Sequence, residues 1–165
     1  TPKELGMRYA LETKKVLGKN LMGTIQNKGV EAAVAFCNER AYPLTDSMST
    51  NFNARIKRVS DKPRNPKNQA NAMELGHIET FKNQVAGGAS VEPILREENG
   101  KVYFYYPIVT NTMCLNCHGI PDENITPKVY KILSELYPQD KAIGYGPDEV
   151  RGIWSIVFET PKKTD

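Results

Sequence analysis

The sequence predicts an α+β protein, with long N-terminal helices followed by a small antiparallel sheet. Three observations carry this. Residues 3 to about 50 read as helical, with apolar positions three and four apart. The pattern then changes to β-branched and aromatic runs, Lys101 to Thr110 and Gly152 to Thr160. Helices and strands are grouped rather than alternating, which argues against a parallel sheet.

The elements follow in order. Gly29, after Gln26-Asn27-Lys28, breaks the first helical segment. One helix runs to about residue 27 and a second from 30 to about 49, as an antiparallel pair or a kinked rod. Residues 60 to 71 hold two prolines and many turn formers, so they form a loop. The basic stretch Arg55 to Lys67 reads as a solvated loop. Asn71 caps a helix through Glu74, Ile78 and Phe81 that ends at Gly87-Gly88. Ser90 to Glu97 is a strand, and Glu98-Asn99-Gly100 is a hairpin turn. Pro107 inside the next strand marks an edge or a bulge. Thr126-Pro127 opens a helix to about Tyr137, with proline at the first helical position. Gly144 to Gly152 is a glycine-rich loop before the last strand.

A chain of 165 residues fits one domain, 1–165, with helices over about 3–50 and the sheet part over about 71–160. There are 22 basic and 19 acidic residues, a net charge of +3. That balance argues against a nucleic-acid partner. No apolar run is long enough to span a bilayer.

The chemistry is in the cysteines. Cys114-Leu115-Asn116-Cys117-His118 is C-x-x-C-H, the attachment signal for c-type haem. Two thiols add to the haem vinyl groups, and the adjacent histidine reaches the iron. Three rival readings are weaker. A thioredoxin-like C-x-x-C leaves His118 unexplained. A zinc set of Cys37, Cys114, Cys117 and His118 has awkward neighbours and no usual spacing. A Cys114–Cys117 disulfide would close too short a loop to stabilise much.

Cys37 is then left over, and an odd cysteine in an exported protein needs an explanation. Val30, Ala33, Val34, Cys37, Ala41, Leu44 and Met48 form one apolar helical stripe. Cys37 is at its centre and is expected to face the interior. It is either a buried core cysteine or a thiolate ligand to the haem iron. His77, Met73 and Met113 compete for that ligand position.

Three segments together resemble a family of exported c-type haem domains of unknown function, found alone and as the sensing part of histidine kinases. They are Ala35-Phe-Cys37-Asn-Glu-Arg-Ala41; Arg55-Ile-Lys-Arg58-Val-Ser60 with Arg64-Asn65-Pro66-Lys67-Asn68 and Glu74; and Met113-Cys-Leu-Asn-Cys-His-Gly119. The resemblance covers nearly the whole chain. It implies a PAS-like antiparallel sheet behind the long helices. It also implies one covalent haem c on Cys114 and Cys117, with His118 and Cys37 as the iron ligands. Arg55, Arg58 and Arg64 become candidates for the haem propionates, since guanidinium pairs with carboxylate in two-point fashion. Tyr103, Tyr105 and Trp154 are expected to pack the core or line the haem pocket.

The expected function is a redox or gas sensor module with His/Cys ligation, responding to a redox change or a ligand such as CO or NO. A small electron-transfer cytochrome c is the alternative. With both axial positions filled, no enzyme activity is expected. The partners would be a redox protein or a signalling domain. Haem attachment of this kind implies a periplasmic or otherwise exported protein, with any leader or anchor outside this chain.

Overall fold

A computed structural model describes residues 1–162. The element order is α1 (Pro2–Lys28), α2 (Val30–Phe52), β1 (Arg55–Val59), a 3-10 turn (Pro66–Asn68) and α3 (Ala72–Ala86). It continues with β2 (Ile94–Glu98), β3 (Lys101–Val109), a 3-10 turn (Thr112–Cys114), α4 (Leu115–His118), α5 (Pro127–Leu136) and β4 (Val150–Glu159). The strands form one antiparallel sheet in the order β1-β4-β3-β2. The fold is α+β with long N-terminal helices, as the sequence pattern predicts. No helix among the described residues is long and apolar enough to cross a membrane.

Thr1 and Glu4 cap α1 reciprocally, with Pro2 in its first turn. Gly29 has φ 87°, a conformation that favours glycine, and joins α1 to α2 in one residue. The two helices pack on each other, so the expected pair forms rather than a kinked rod. Tyr9 and Ala10 of α1 pack on one sheet face with Ile56, Phe104, Trp154 and Ile156. Gly6 is required there, because a Cβ would be 2.2 Å from the Phe104 ring.

The opposite face carries α3. Ile78 and Phe81 pack on Val59, Tyr105 and Ile153. Asn71 and Glu74 cap α3 reciprocally, and Gly87 closes it. A third cluster joins α2 to α5 through Val34, Ile125, Val129 and Leu133. Trp154 and Tyr105 are core residues, and Tyr103 packs beside the α3 cluster.

Four expectations change. Arg55–Val59 is a strand rather than a solvated loop. Only Ile56 and Val59 are buried in it, too few apolar positions to show alternation. The sheet therefore starts before residue 71. The strand expected from Ser90 begins at Ile94, after Pro93. Its turn is as expected, with Asn99 and Gly100 both at positive φ. Pro107 is in a strand with neighbours on both sides, but β2 ends its pairing at Tyr105. Pro107 is therefore flanked by β4 alone, next to a register shift at Ile108/Val109, in keeping with the edge or bulge expected of it. The fourth change concerns Cys37 and belongs to the site.

Candidate functional site

Cys114, Cys117 and His118 are separated by three and four residues, so one helical turn puts them on one side. The turn follows β3 directly. Asn111 accepts from the Cys114 backbone at 3.2 Å and caps the 3-10 turn. All three cysteines are free thiols.

The segment 142–145 holds His118 in place. Tyr145 N donates to the His118 carbonyl at 2.9 Å, and Gly144 N donates to the Gly119 carbonyl at 2.9 Å. The His118 Nδ1 is 2.8 Å from the Ala142 carbonyl oxygen. A carbonyl only accepts, so Nδ1 carries the proton and Nε2 keeps its lone pair. The Arg151 Nε is 3.3 Å from the same Nδ1. It cannot donate to a nitrogen that already holds a proton, so this is a charge contact. Burial, then the charges of Arg64 and Arg151, hold the imidazole well below its usual pKa. His118 is therefore neutral.

Arg64 braces this turn. Its Nε pairs with Asp140 at 3.0 Å, and both side chains are nearly buried. Its Nη2 donates to the carbonyls of Cys117 and Ala142. One guanidinium thus ties the C-x-x-C-H turn to the segment that orients His118.

Cys37 departs from the interior position expected of it. Ala33, Val34 and Ala41, on the same stripe, are buried, at 1%, 2% and 7% exposure. Cys37 between them is exposed. Protein atoms nevertheless crowd the thiol enough to raise its pKa, while Arg58 and Arg64 pull it down. The thiol is open to water on α2, within reach of the Arg58 and Arg64 charges. α5 covers the stripe on one side of Cys37, through Val34. On the other side, Met48 packs under the sheet. Cys37, Cys117 and Tyr137 at the end of α5 are close enough that ionising one would disfavour ionising the others. Burial pushes the Cys117 thiol up to about 11 and the Tyr137 hydroxyl up to about 12.

The three arginines separate. Arg64 is committed to the turn. Arg55 acts on Tyr105, on the α3 side of the sheet. Three residues along a strand reverse the face, so Arg58 points the other way, and its charge reaches Cys37. His77 lies against Tyr105 on the α3 side, with ring centroids 4.3 Å apart and the planes tilted by 40°. Met73 is also there, as its sulfur accepts from the Tyr105 hydroxyl at 3.8 Å. Met113 is in the turn beside Cys114. Among the described residues no three His, Cys, Asp or Glu side chains converge as a metal site, so the four-ligand zinc set is not assembled.

Sequence reasoning missed Ala142, Asp140, Arg151, Tyr137 and Tyr145. Ala142 acts through its carbonyl, which leaves no mark in a sequence. Arg151 had a weak signal as a cation inside an apolar strand. It donates to Ser60 Oγ at 2.9 Å and to the Lys62 carbonyl at 3.2 Å.

A family model described as Tll0287-like matches residues 5–158. The chain belongs to the Tll0287-like family. No curated protein matches it. Among solved structures it is similar to one described as the crystal structure of the cyanobacterial heme-protein Tll0287. The TM-score is 0.68, the identity is 18%, and 99% of each chain is covered. At that identity the likeness establishes that the Tll0287-like fold extends along the whole chain.

Proposed function

We propose that this chain is a monohaem c-type protein. Haem would be attached through Cys114 and Cys117, with His118 Nε2 and the Cys37 sulfur as the two iron ligands. The observation that carries the reading is the exposed Cys37 thiol at the centre of the buried α2 stripe. A buried apolar stripe opens at one sulfur, near a C-x-x-C-H turn whose histidine is already oriented. Haem held by these residues would cover the exposed part of the stripe, and residues that hold one large cofactor from different elements need not touch each other. That is why a haem site need not show as a compact metal cluster. The similarity to a protein described as a heme-protein supports the same reading. The competing ligands His77 and Met73 sit with Tyr105 on the α3 side, which favours Cys37. The PAS-like reading of the sheet belongs to this proposal, supported by one antiparallel sheet behind two long helices.

When bound, haem supplies a one-electron couple whose potential follows its axial ligands and surroundings. The chain does the rest. The Ala142 carbonyl fixes the His118 tautomer and keeps Nε2 free to coordinate. Arg64 and Asp140 hold the attachment turn against residue 142. α2 carries Cys37 and is joined to α1 by a single glycine.

We read the protein as a redox or gas sensor module. On that reading Cys37 would be the residue that responds to the redox state of the haem, and α2 would carry the response to a signalling domain or redox partner. CO or NO is the class of small ligand expected. The protein is not an enzyme on this reading, and it works in an exported or periplasmic setting. A small electron-transfer cytochrome is the second reading, and it requires the same ligands in both states.

The test is the visible spectrum of protein made with haem-maturation machinery, ferric and then reduced. A Soret band that survives acid–acetone extraction, with thiolate features in the ferric form, is the expected result. Its absence overturns the haem reading. A reduced form that binds CO favours the sensor, and one that keeps its ligands favours the carrier.

A further inference from the structure

Arg151 is where β4 leaves the regular sheet. The consecutive β3 residues Ile108 and Val109 face Gly152 and Val150, so Arg151 is an extra residue with no partner opposite it. On the other side, β1 ends its pairing at Val59 against Ile153. A bulge of this kind re-aims a side chain. Here it turns the guanidinium toward the attachment turn, with Nε 3.3 Å from His118 Nδ1.

The side chain is clamped in that position. Its Nη1 donates to Ser60 Oγ at 2.9 Å and to the Lys62 carbonyl at 3.2 Å. The Ser60 hydroxyl donates in turn to the Arg151 carbonyl at 2.7 Å, so one buried serine holds both ends of the residue. Gly152 permits this close approach, since a Cβ there would be 2.5 Å from the Val59 carbonyl oxygen.

Two guanidiniums therefore stand beside the C-x-x-C-H turn, and they differ in charge balance. Arg64 is neutralised by Asp140 at 3.0 Å. Arg151 makes no ion pair among the described residues. Its partners are a hydroxyl, a carbonyl and a neutral imidazole, with the Tyr145 ring 5.6 Å away. Neutral partners fix its position without cancelling its charge.

We propose that Arg151 is a positioning residue that sets the redox potential of the haem through His118, its unpaired charge favouring the reduced state and Ser60 holding it in place. This rests on haem attachment at the C-x-x-C-H turn with His118 as iron ligand, and not on Cys37. A fixed cation stabilises the form that carries one more electron. It opposes the Ala142 carbonyl, which accepts the Nδ1 proton, makes the imidazole a stronger donor and so favours the oxidised state.

The experiment is a redox titration of the whole haem-loaded protein, followed by its visible bands, after the covalent Soret band has been recorded for each variant. At the poise that half-reduces the parent, Arg151→Gln should lower the reduced-to-oxidised ratio about tenfold. Arg151→Lys keeps the charge but not the fork that reaches Ser60, and should recover most of that loss. Ser60→Ala keeps the charge but releases it toward water, and should lower the ratio a few-fold. Lys101→Gln, an exposed charge at the hairpin end of the sheet, should leave it unchanged. A purely structural clamp would move Arg151→Gln and Arg151→Lys alike. Equal midpoints in those two variants, or the parent's midpoint in Arg151→Gln, overturn the proposal. If Arg151→Gln takes up no haem, Ser60→Ala against Lys101→Gln decides, and an unmoved midpoint in Ser60→Ala overturns it. A parent protein with no covalent Soret band defeats the haem reading and this proposal with it, whereas a Soret band with unmoved midpoints defeats this proposal alone.

Discussion

α3 and α2 pack on opposite sides of the sheet, and they finish differently. α3 is capped at both ends, and Ile78 and Phe81 are 1% and 0% exposed. Each inward position of α3 meets protein. α2 starts at an uncapped glycine, carries Pro43 inside, and leaves its inward stripe open at Cys37. Arg58 nearby is short of a partner as well. A closed region satisfies its own groups and serves stability. An open one, with apolar and charged groups both unfinished, marks where something else is meant to bind.

The sharpest contrast is therefore energetic. Phe81→Ala should cost about 3–5 kcal/mol, the range for emptying a buried aromatic position. Urea unfolding should show a lower midpoint with an unchanged slope. A loss under about 1 kcal/mol would mean that the α3 face is not the closed core it is taken for. Arg64→Ala comes next, at about 3 kcal/mol, because Asp140 would be left as a nearly buried, unpaired carboxylate. Arg64→Lys should not restore it, since one ammonium cannot reach Asp140 and both carbonyls in the same geometry. If Arg64→Lys is as stable as the parent, the brace is a simple charge pair.

The same contrast explains what was legible in the sequence. The α3 region reads directly: Asn71, Glu74, Ile78, Phe81 and Gly87 each carry a local signal, and each acts locally. The C-x-x-C-H turn is equally plain, because its chemistry is written in consecutive residues. Cys37 was legible in phase but not in exposure. Helical spacing reports which way a side chain points, not whether protein covers it. The strand Arg55–Val59 was hidden because three of its five residues are Arg or Lys. The arginines looked alike in sequence and differ in fact, because parity along β1 and the fold of residues 140–142 decide their partners. Those are long-range matters that no local pattern records.

A smaller effect concerns acid. Both histidines have pKa values depressed in the folded chain, His118 strongly and His77 by burial near Tyr105. The unfolded chain therefore takes up protons first as pH falls below about 6.5. In the haem-free chain stability should be complete above that pH and decline beneath it, by about 1 kcal/mol per pH unit from His118. Denaturant midpoints measured between pH 7 and 5 check this. His118→Gln should flatten most of the slope, and His77→Gln only a little. The reverse ranking would move the protonation-sensitive site to the α3 side.

The least disruptive substitution is the most informative about the open region. Cys37 has an exposed thiol with no hydrogen-bond partner among the described residues. In the haem-free chain Cys37→Ala thus removes little, and its unfolding free energy should stay within about 0.5 kcal/mol of the parent. Its buried neighbours Ala33 and Ala41 set the scale. Enlarging either to Leu forces side chains into packed space and should cost about 1–3 kcal/mol. A stripe position that tolerates change while its neighbours do not is placed for contact rather than packing. If Cys37→Ala also removes thiolate features from the ferric spectrum, that contact is with the iron. If stability falls as far as in the Ala33 and Ala41 variants, the thiol is covered in solution and Cys37 is a core residue.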